Sequence, residues 1–80
     1  PSLNDVRKWL VAAKDAGATH VIIVRDTFSN EDWPVDVTAD QDVRMVYQMY
    51  EGHVMHRVLE VYRMDLDLEE QLAERRAMHF

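Results

Sequence analysis

The run Val21-Ile22-Ile23-Val24 is the feature that most constrains the fold. Four consecutive apolar, β-branched residues put large side chains on both sides of an extended chain, because successive side chains of a strand point in opposite directions. Such a strand needs a neighbour on each edge and a cover on at least one face. We therefore expect a central strand over about Thr19 to Asp26.

An acidic turn, Asp26-Thr27-Phe28-Ser29-Asn30-Glu31-Asp32, follows this strand and leads into Trp33-Pro34-Val35. A second strand is predicted over about Trp33 to Val37. Because Pro34 cannot donate a hydrogen bond to a ladder, this strand is expected at an edge of the sheet. The turn brings carboxylates and two large aromatic residues together on one loop.

The first and last helices have clear start signals. Ser2 can cap the first helix with Asp5 three residues on, and Gly17 can end it. Asp67 can cap the last helix with Glu70 three residues on, and arginines follow late in the segment, as the helix dipole favours. The expected anchors of the last helix are Leu68, Leu72 and Phe80.

The middle helix is predicted over about Asp42 to Glu51, with Thr38 or Asp40 as its cap and Gly52 at its end. Its apolar residues fill about half of its circumference, which is wider than one packed face requires. Either this helix lies deep between the sheet and the first helix, or part of it meets another chain. These apolar residues are Val43, Met45, Val46, Tyr47, Met49 and Tyr50.

A third strand is predicted over about Arg57 to Met64, where apolar and polar residues partly alternate and β-branched and aromatic residues are frequent. A helix is the competing interpretation of this segment. The order is then α-β-β-α-β-α in a single domain, residues 1–80. A right-handed crossover makes strand 3 parallel to strand 2. The first strand, which is apolar on both faces, is expected in the centre of the sheet, which gives the order 2-1-3. We expect an α+β two-layer domain with a mixed three-stranded sheet and helices packed on one face.

Fifteen acidic and nine basic residues give a formal charge of -6, which disfavours direct binding of nucleic acid. No apolar run is long enough to span a bilayer and no signal-peptide pattern begins the chain, so we expect no membrane association and a cytoplasmic location. Eight of the nine basic residues are scattered among acids rather than gathered in a stripe: Arg7, Lys8, Arg25, Arg44, Arg57, Arg63, Arg75 and Arg76.

No signature of catalysis or of cofactor binding occurs, so we expect a protein that is not an enzyme and carries no cofactor. The carboxylates of Asp26, Glu31 and Asp32 lack the spacing of a calcium loop, and turn chemistry is the favoured interpretation. His53 and His56 have an H-x-x-H spacing, but on the predicted loop and strand their side chains diverge. A metal-dependent enzyme built on these groups is the third hypothesis.

The leading hypothesis is a protein-interaction module that binds a protein partner through the acidic loop and the apolar surface of the middle helix. Homodimerisation through the same surface is an alternative. The second hypothesis is an acidic inhibitor that occupies a nucleic-acid groove on a host enzyme. The candidate partner-binding residues are Asp26, Phe28, Glu31, Asp32, Trp33, Met45, Met49 and Tyr50.

One segment of the chain resembles a pattern in small uncharacterised proteins of bacteria, their phages and mobile elements. The residues that carry the resemblance are Thr19-His20-Val21-Ile22-Ile23-Val24, Asp26-Thr27-Phe28, Glu31-Asp32, Pro34-Val35 and Val37. The strand Val58 to Met64 and the tail Asp67 to Phe80 are similar too. The resemblance implies a compact accessory protein that works by binding a larger host protein. Inhibitors of bacterial immunity, including anti-CRISPR proteins, are of this size and acidity, and the pattern brings no catalytic residue with it.

Overall fold

The computed structural model describes residues 1–80 and contains three helices and one three-stranded sheet. The fold is α+β with the strand order β2-β1-β3, so the predicted central first strand and edge second strand are confirmed. The elements in chain order are α1 (Leu3–Asp15), β1 (His20–Asp26), β2 (Asp32–Val37), α2 (Val43–Glu51), β3 (His56–Arg63) and α3 (Leu68–Ala73).

The sheet is entirely antiparallel, and the predicted mixed sheet is wrong. β1 pairs antiparallel with β2 on one edge and with β3 on the other. β2 and β3 therefore run in the same direction, as the crossover predicts, but β1 separates them and they form no ladder with each other. A β-bulge at Leu59 shifts the register of the β1–β3 ladder between Ile23 and Val24.

Helices cover both faces of the sheet, so the predicted two-layer arrangement with helices on one face is also wrong. Val21 and Ile23 pack with α1 and α3, whereas Ile22 and Val24 pack with α2. All four of these side chains are fully buried. A strand that is apolar on both sides requires two covers, since an open face would leave half of its side chains in water.

The start signals of α1 and α3 act as predicted, and that of α2 does not. Ser2 and Asp5 form a complete capping box, and Gly17 adopts a positive φ of 84° after α1. Asp67 caps α3 by accepting from the amide of Glu70. The cap of α2 is Asp42, which accepts from the amides of Arg44 and Met45, and neither Thr38 nor Asp40 caps it.

α3 ends at Ala73, earlier than its charge pattern predicts, because the following tail pairs with the sheet. Val61 donates from its amide to the carbonyl of Ala77 and accepts from the amide of His79. Phe80 is therefore not an anchor of α3; it reaches the opposite face, where its ring meets Tyr47 edge-on at 5.1 Å. Tertiary pairing overrides the helical preference of the tail.

Gln71 is the one polar residue that is buried as a whole. Its Oε1 accepts from the amide of Arg63 at 2.8 Å, and its Nε2 donates to the carbonyl of the same residue at 2.8 Å. The amide side chain thus satisfies a backbone position at the end of β3 as a neighbouring strand would. This contact fixes α3 against the sheet.

If both faces are covered, Ile22→Ala and Ile23→Ala should each destabilise the protein by about 2–5 kcal/mol, because each removes a fully buried side chain from a separate core. Chemical unfolding monitored by circular dichroism measures both free energies. Val11→Ala, at an exposed position of α1, is the control and should change stability by less than about 0.5 kcal/mol. A cost below about 1 kcal/mol for either isoleucine variant would contradict the three-layer arrangement.

Candidate functional site

The turn between β1 and β2 is held in one conformation by hydrogen bonds. The Asp26 carboxylate accepts from the amides of Phe28 at 2.8 Å and Ser29 at 3.1 Å. These two amides lower the pKa of Asp26, since they favour its charged form. Asn30 closes the turn in the left-handed region, with φ of 60°, which asparagine tolerates. The predicted turn chemistry of Asp26 is confirmed.

A second loop packs beside this turn. The amide and the hydroxyl of Thr27 both donate to the carbonyl of Met55, at 2.9 and 3.1 Å. The loop that joins α2 to β3 is thereby fixed next to the β1–β2 turn. We call the three exposed apolar residues of these two loops, Phe28, Val54 and Met55, the apolar tip.

Phe28 is 83% exposed, and Val54 in the second loop is 89% exposed. Exposed apolar side chains that lie on neighbouring loops leave apolar surface in water, and such surface is typical of interaction sites. From the sequence, Phe28 can be either an exposed interface anchor or a residue that closes the core, and the structure places it in solvent. Val54 was not among the candidate residues, since the segment after Gly52 gave no clear signal.

The outer face of α2 contributes two further exposed side chains, Met45 and Met49, which lie one turn apart. Val46 of the same helix is buried against the sheet, and Tyr50 is half-buried beside it. α2 lies on the opposite side of the sheet from α1, so the expectation that it could lie between the sheet and the first helix is wrong. The apolar residues of α2 that exceed one packed face are therefore the two exposed methionines.

Asp32 is a structural residue rather than part of an exposed acidic surface. Its side chain is only 6% exposed and accepts two hydrogen bonds from Arg25, at 2.7 and 3.0 Å. The nitrogen of Pro1 lies 2.9 Å from Oδ2 of Asp32, the oxygen that also accepts from Nη2 of Arg25. The Arg25 contact lowers the pKa of the Asp32 carboxyl. Of the predicted loop carboxylates, Glu31 alone is fully exposed.

A cluster of aromatic rings lies next to the loop that carries Val54 and Met55. The rings of His53 and His56 stack with their centroids 4.3 Å apart, so the expectation that they diverge is wrong. Trp33 meets His56 edge-on at 5.2 Å, and Tyr50 lies 5.8 Å from the same ring. Trp33 and Tyr50 are thus supports of the site and not exposed anchors. The turn at Gly52 brings the two histidines together, which the spacing alone does not reveal.

No group of three or more histidine, aspartate or glutamate side chains converges in a geometry that could hold a metal ion. None of the helices is long and apolar enough to cross a bilayer. The chain matches no protein family model, no curated protein and no solved structure.

The arginines are scattered along the sequence, but the structure gathers four of the seven around one groove: Arg25, Arg57, Arg75 and Arg76. Arg25 and Arg57 are directly opposite each other on β1 and β3. That pairing depends on the strand register, and the position of the other two depends on where α3 ends. Neither is contained in the local sequence pattern.

Asp32→Asn should reduce the stability of the protein at neutral pH by roughly 1–2 kcal/mol, because it breaks a partly buried ion pair. The folded-state pKa of Asp32 is depressed, so its contribution is fully present above its unfolded pKa of about 3.9 and is lost as pH falls through the folded value. The difference in unfolding free energy between wild type and variant should therefore shrink below about pH 4.

The measurement is urea unfolding as a function of pH for wild type, Asp32→Asn and the control Asp36→Asn. Asp36 lies exposed on the same strand and makes no side-chain hydrogen bond or ion pair. A stability difference for Asp32→Asn that stays constant into acid, or that Asp36→Asn reproduces, would refute the assigned ion pair.

Proposed function

We propose that this chain is a small, non-enzymatic, cytoplasmic interaction module that binds a larger protein. The binding surface consists of the apolar tip, with the outer α2 methionines beside it as an adaptable margin. The partner presents an apolar pocket bordered by basic residues. This is the role that the resemblance to small proteins of phages and mobile elements implies for a chain of this size.

The observation that carries the proposal is the exposure of Phe28 on a turn that is already ordered. The turn is fixed by the Asp26 carboxylate and by the Thr27 contacts to Met55. A side chain presented on a rigid turn loses less conformational freedom on binding than one on a mobile loop. Aromatic residues that enter a pocket on the partner are frequent energetic centres of interfaces. The geometry thus supports Phe28 as the anchor.

The methionines of α2 support the same role in a different way. Met45 is 65% and Met49 is 71% exposed, and both are flexible, polarizable side chains. Methionine-rich surfaces adapt to partners of varied shape at small cost in packing. The two residues lie on the solvent side of a helix whose inner side is already packed, so they are not needed for the core.

Charge selects the kind of partner. The chain has a formal charge of -6, and the exposed Glu31 lies in the same loop as Phe28. Complementary potentials accelerate encounter and exclude partners of like charge. An apolar pocket with basic residues at its rim therefore fits this surface.

The other hypotheses predict different behaviour. A nucleic-acid mimic, the second hypothesis, should bind with an affinity that falls steeply with salt and should compete with nucleic acid. A module anchored by Phe28 should retain most of its affinity at high salt, because apolar burial is not screened. Homodimerisation through the same surface stays a prediction, which light scattering of the native protein tests.

Phe28→Ala should weaken partner binding by about thirtyfold or more, the effect of removing an interface hot spot of about 2 kcal/mol. It should leave the unfolding free energy within about 0.5 kcal/mol of wild type, because the side chain is exposed. Affinity capture from a bacterial lysate, followed by titration with the captured protein, measures the loss. Val11→Ala is the matched control, since it removes an exposed apolar side chain from α1. A partner retained equally by wild type and Phe28→Ala would contradict the proposal.

Glu31→Lys should lower the association rate constant for the captured partner several-fold at low ionic strength, with a smaller change in the dissociation rate constant. Raising the salt concentration should remove most of this difference. Surface plasmon resonance at several ionic strengths measures both constants. The control is Asp15→Lys, which makes the same change in net charge at an exposed position of α1. Equal effects of the two variants would show that net charge, rather than the charge beside Phe28, governs encounter.

A further inference from the structure

A groove of about 500 Å³ lies between β3 and the segment that follows α3. Four arginines line it: Arg25, Arg57, Arg75 and Arg76. The groove uses none of the residues of the apolar tip, and the inference drawn from it does not rest on the proposed interaction module.

Two separate features of the fold bring these arginines together. Arg25 and Arg57 are register partners on adjacent strands, so their side chains leave the same face of the sheet. Arg75 and Arg76 come just before Ala77, whose carbonyl accepts from the amide of Val61 on the outer edge of β3. The tail pairing that ends α3 early thereby also brings these two arginines to the groove.

The positive charge of the groove exceeds the negative charge beside it. Arg25 is neutralised by Asp32, but no carboxylate lies within ion-pair distance of Arg57, Arg75 or Arg76. Glu60, the one acidic residue that lines the groove, accepts a hydrogen bond from the hydroxyl of Tyr62 at 2.7 Å.

Like charges directly opposite on neighbouring strands destabilise a sheet. Arg57 faces Arg25 in this way; Asp32 offsets the charge of Arg25, but Arg75 and Arg76 add two unpaired positive charges at the same groove. The chain as a whole is acidic, with a formal charge of -6, and the exposed positions 57, 75 and 76 could carry neutral residues at no cost to the core. A bound anion would relieve the repulsion between these arginines.

We propose that this groove binds the phosphate group of a small organic phosphate ester. Guanidinium groups form paired hydrogen bonds to phosphate oxygens, and several of them can surround one phosphate. Leu59 and Met78 add an apolar wall for the organic part of the ligand. The volume lies within the range of about 300–1,000 Å³ that is usual for small-molecule sites. A long polynucleotide is disfavoured as ligand, because the net negative charge of the chain repels it.

The test is a titration of the ¹⁵N-labelled protein with ribose 5-phosphate, adenosine 5′-monophosphate and, without a phosphate, ribose, followed by two-dimensional NMR. Both phosphate esters should give saturable shifts at the amides of Arg57, Leu59, Arg75 and Arg76, and ribose should give none. Comparison of the two esters shows whether a sugar or a nucleoside is the preferred organic part, and either preference supports the proposal.

Arg57→Gln and the double variant Arg75→Gln/Arg76→Gln should each weaken binding by about tenfold or more, because each removes charged hydrogen bonds to phosphate. These positions are exposed, so the variants should keep the wild-type spectrum elsewhere. Lys8→Gln removes one positive charge from an exposed position of α1 and should leave the affinity unchanged.

Three results would overturn the proposal. The first is the absence of saturable shifts into the millimolar range with either ester. The second is an equal loss of affinity in Lys8→Gln and in the groove variants. The third is stronger binding of a short single-stranded oligonucleotide or of a tetraglutamate peptide at the same arginines, which would assign the groove to a polynucleotide or to an acidic protein segment.

Discussion

The burial of β1 on both faces and along both edges is the constraint on which the rest of the structure depends. Val21, Ile22, Ile23 and Val24 are fully buried, and each face needs its own cover. α1 and α3 cover one face and α2 covers the other. An 80-residue chain has little apolar surface to spare, so dividing it between two thin cores makes every connecting segment part of the packing. The tail that pairs with Val61 and reaches across to α2 is the clearest example.

The same constraint fixes the loops that present the candidate sites. β1 delivers Arg25 and Asp26 in succession at its end, and the two side chains serve different purposes. Asp26 orders the turn that presents Phe28, whereas Arg25 crosses to Asp32 and borders the arginine groove. The end of the central strand thus lies next to two different surfaces of this acidic molecule. One is the apolar tip, whose loop carries an exposed carboxylate, and the other is the basic arginine groove.

Patterns local to one element could be predicted from the sequence, and those that depend on pairing between elements could not. The cap at Ser2 and the central position of Val21 to Val24 were correctly predicted, because each follows from a few neighbouring residues. The cover on the second face of the sheet was not predicted, although the continuous apolar run in β1 permits it. The early end of α3 was missed because the pairing of Ala77 with Val61 overrides the helix signal of the tail. Of the candidate site, Phe28 and the exposed methionines lie at the surface, whereas Asp32 and Tyr50 turn inward to contacts that the sequence does not specify. Trp33, whose burial the sequence favours, is partly buried.

Native-state hydrogen exchange measured by NMR tests the central role of β1 most directly. The amides of Ile22, Ile23 and Val24 should exchange only through global unfolding, with the same dependence on denaturant as the whole protein, because opening β1 breaks both ladders and both cores. Amides at the ends of α1 and in the segment after α3 should exchange through smaller openings. Exchange of the β1 amides by local opening, at free energies below that of the α1 centre, would contradict the account.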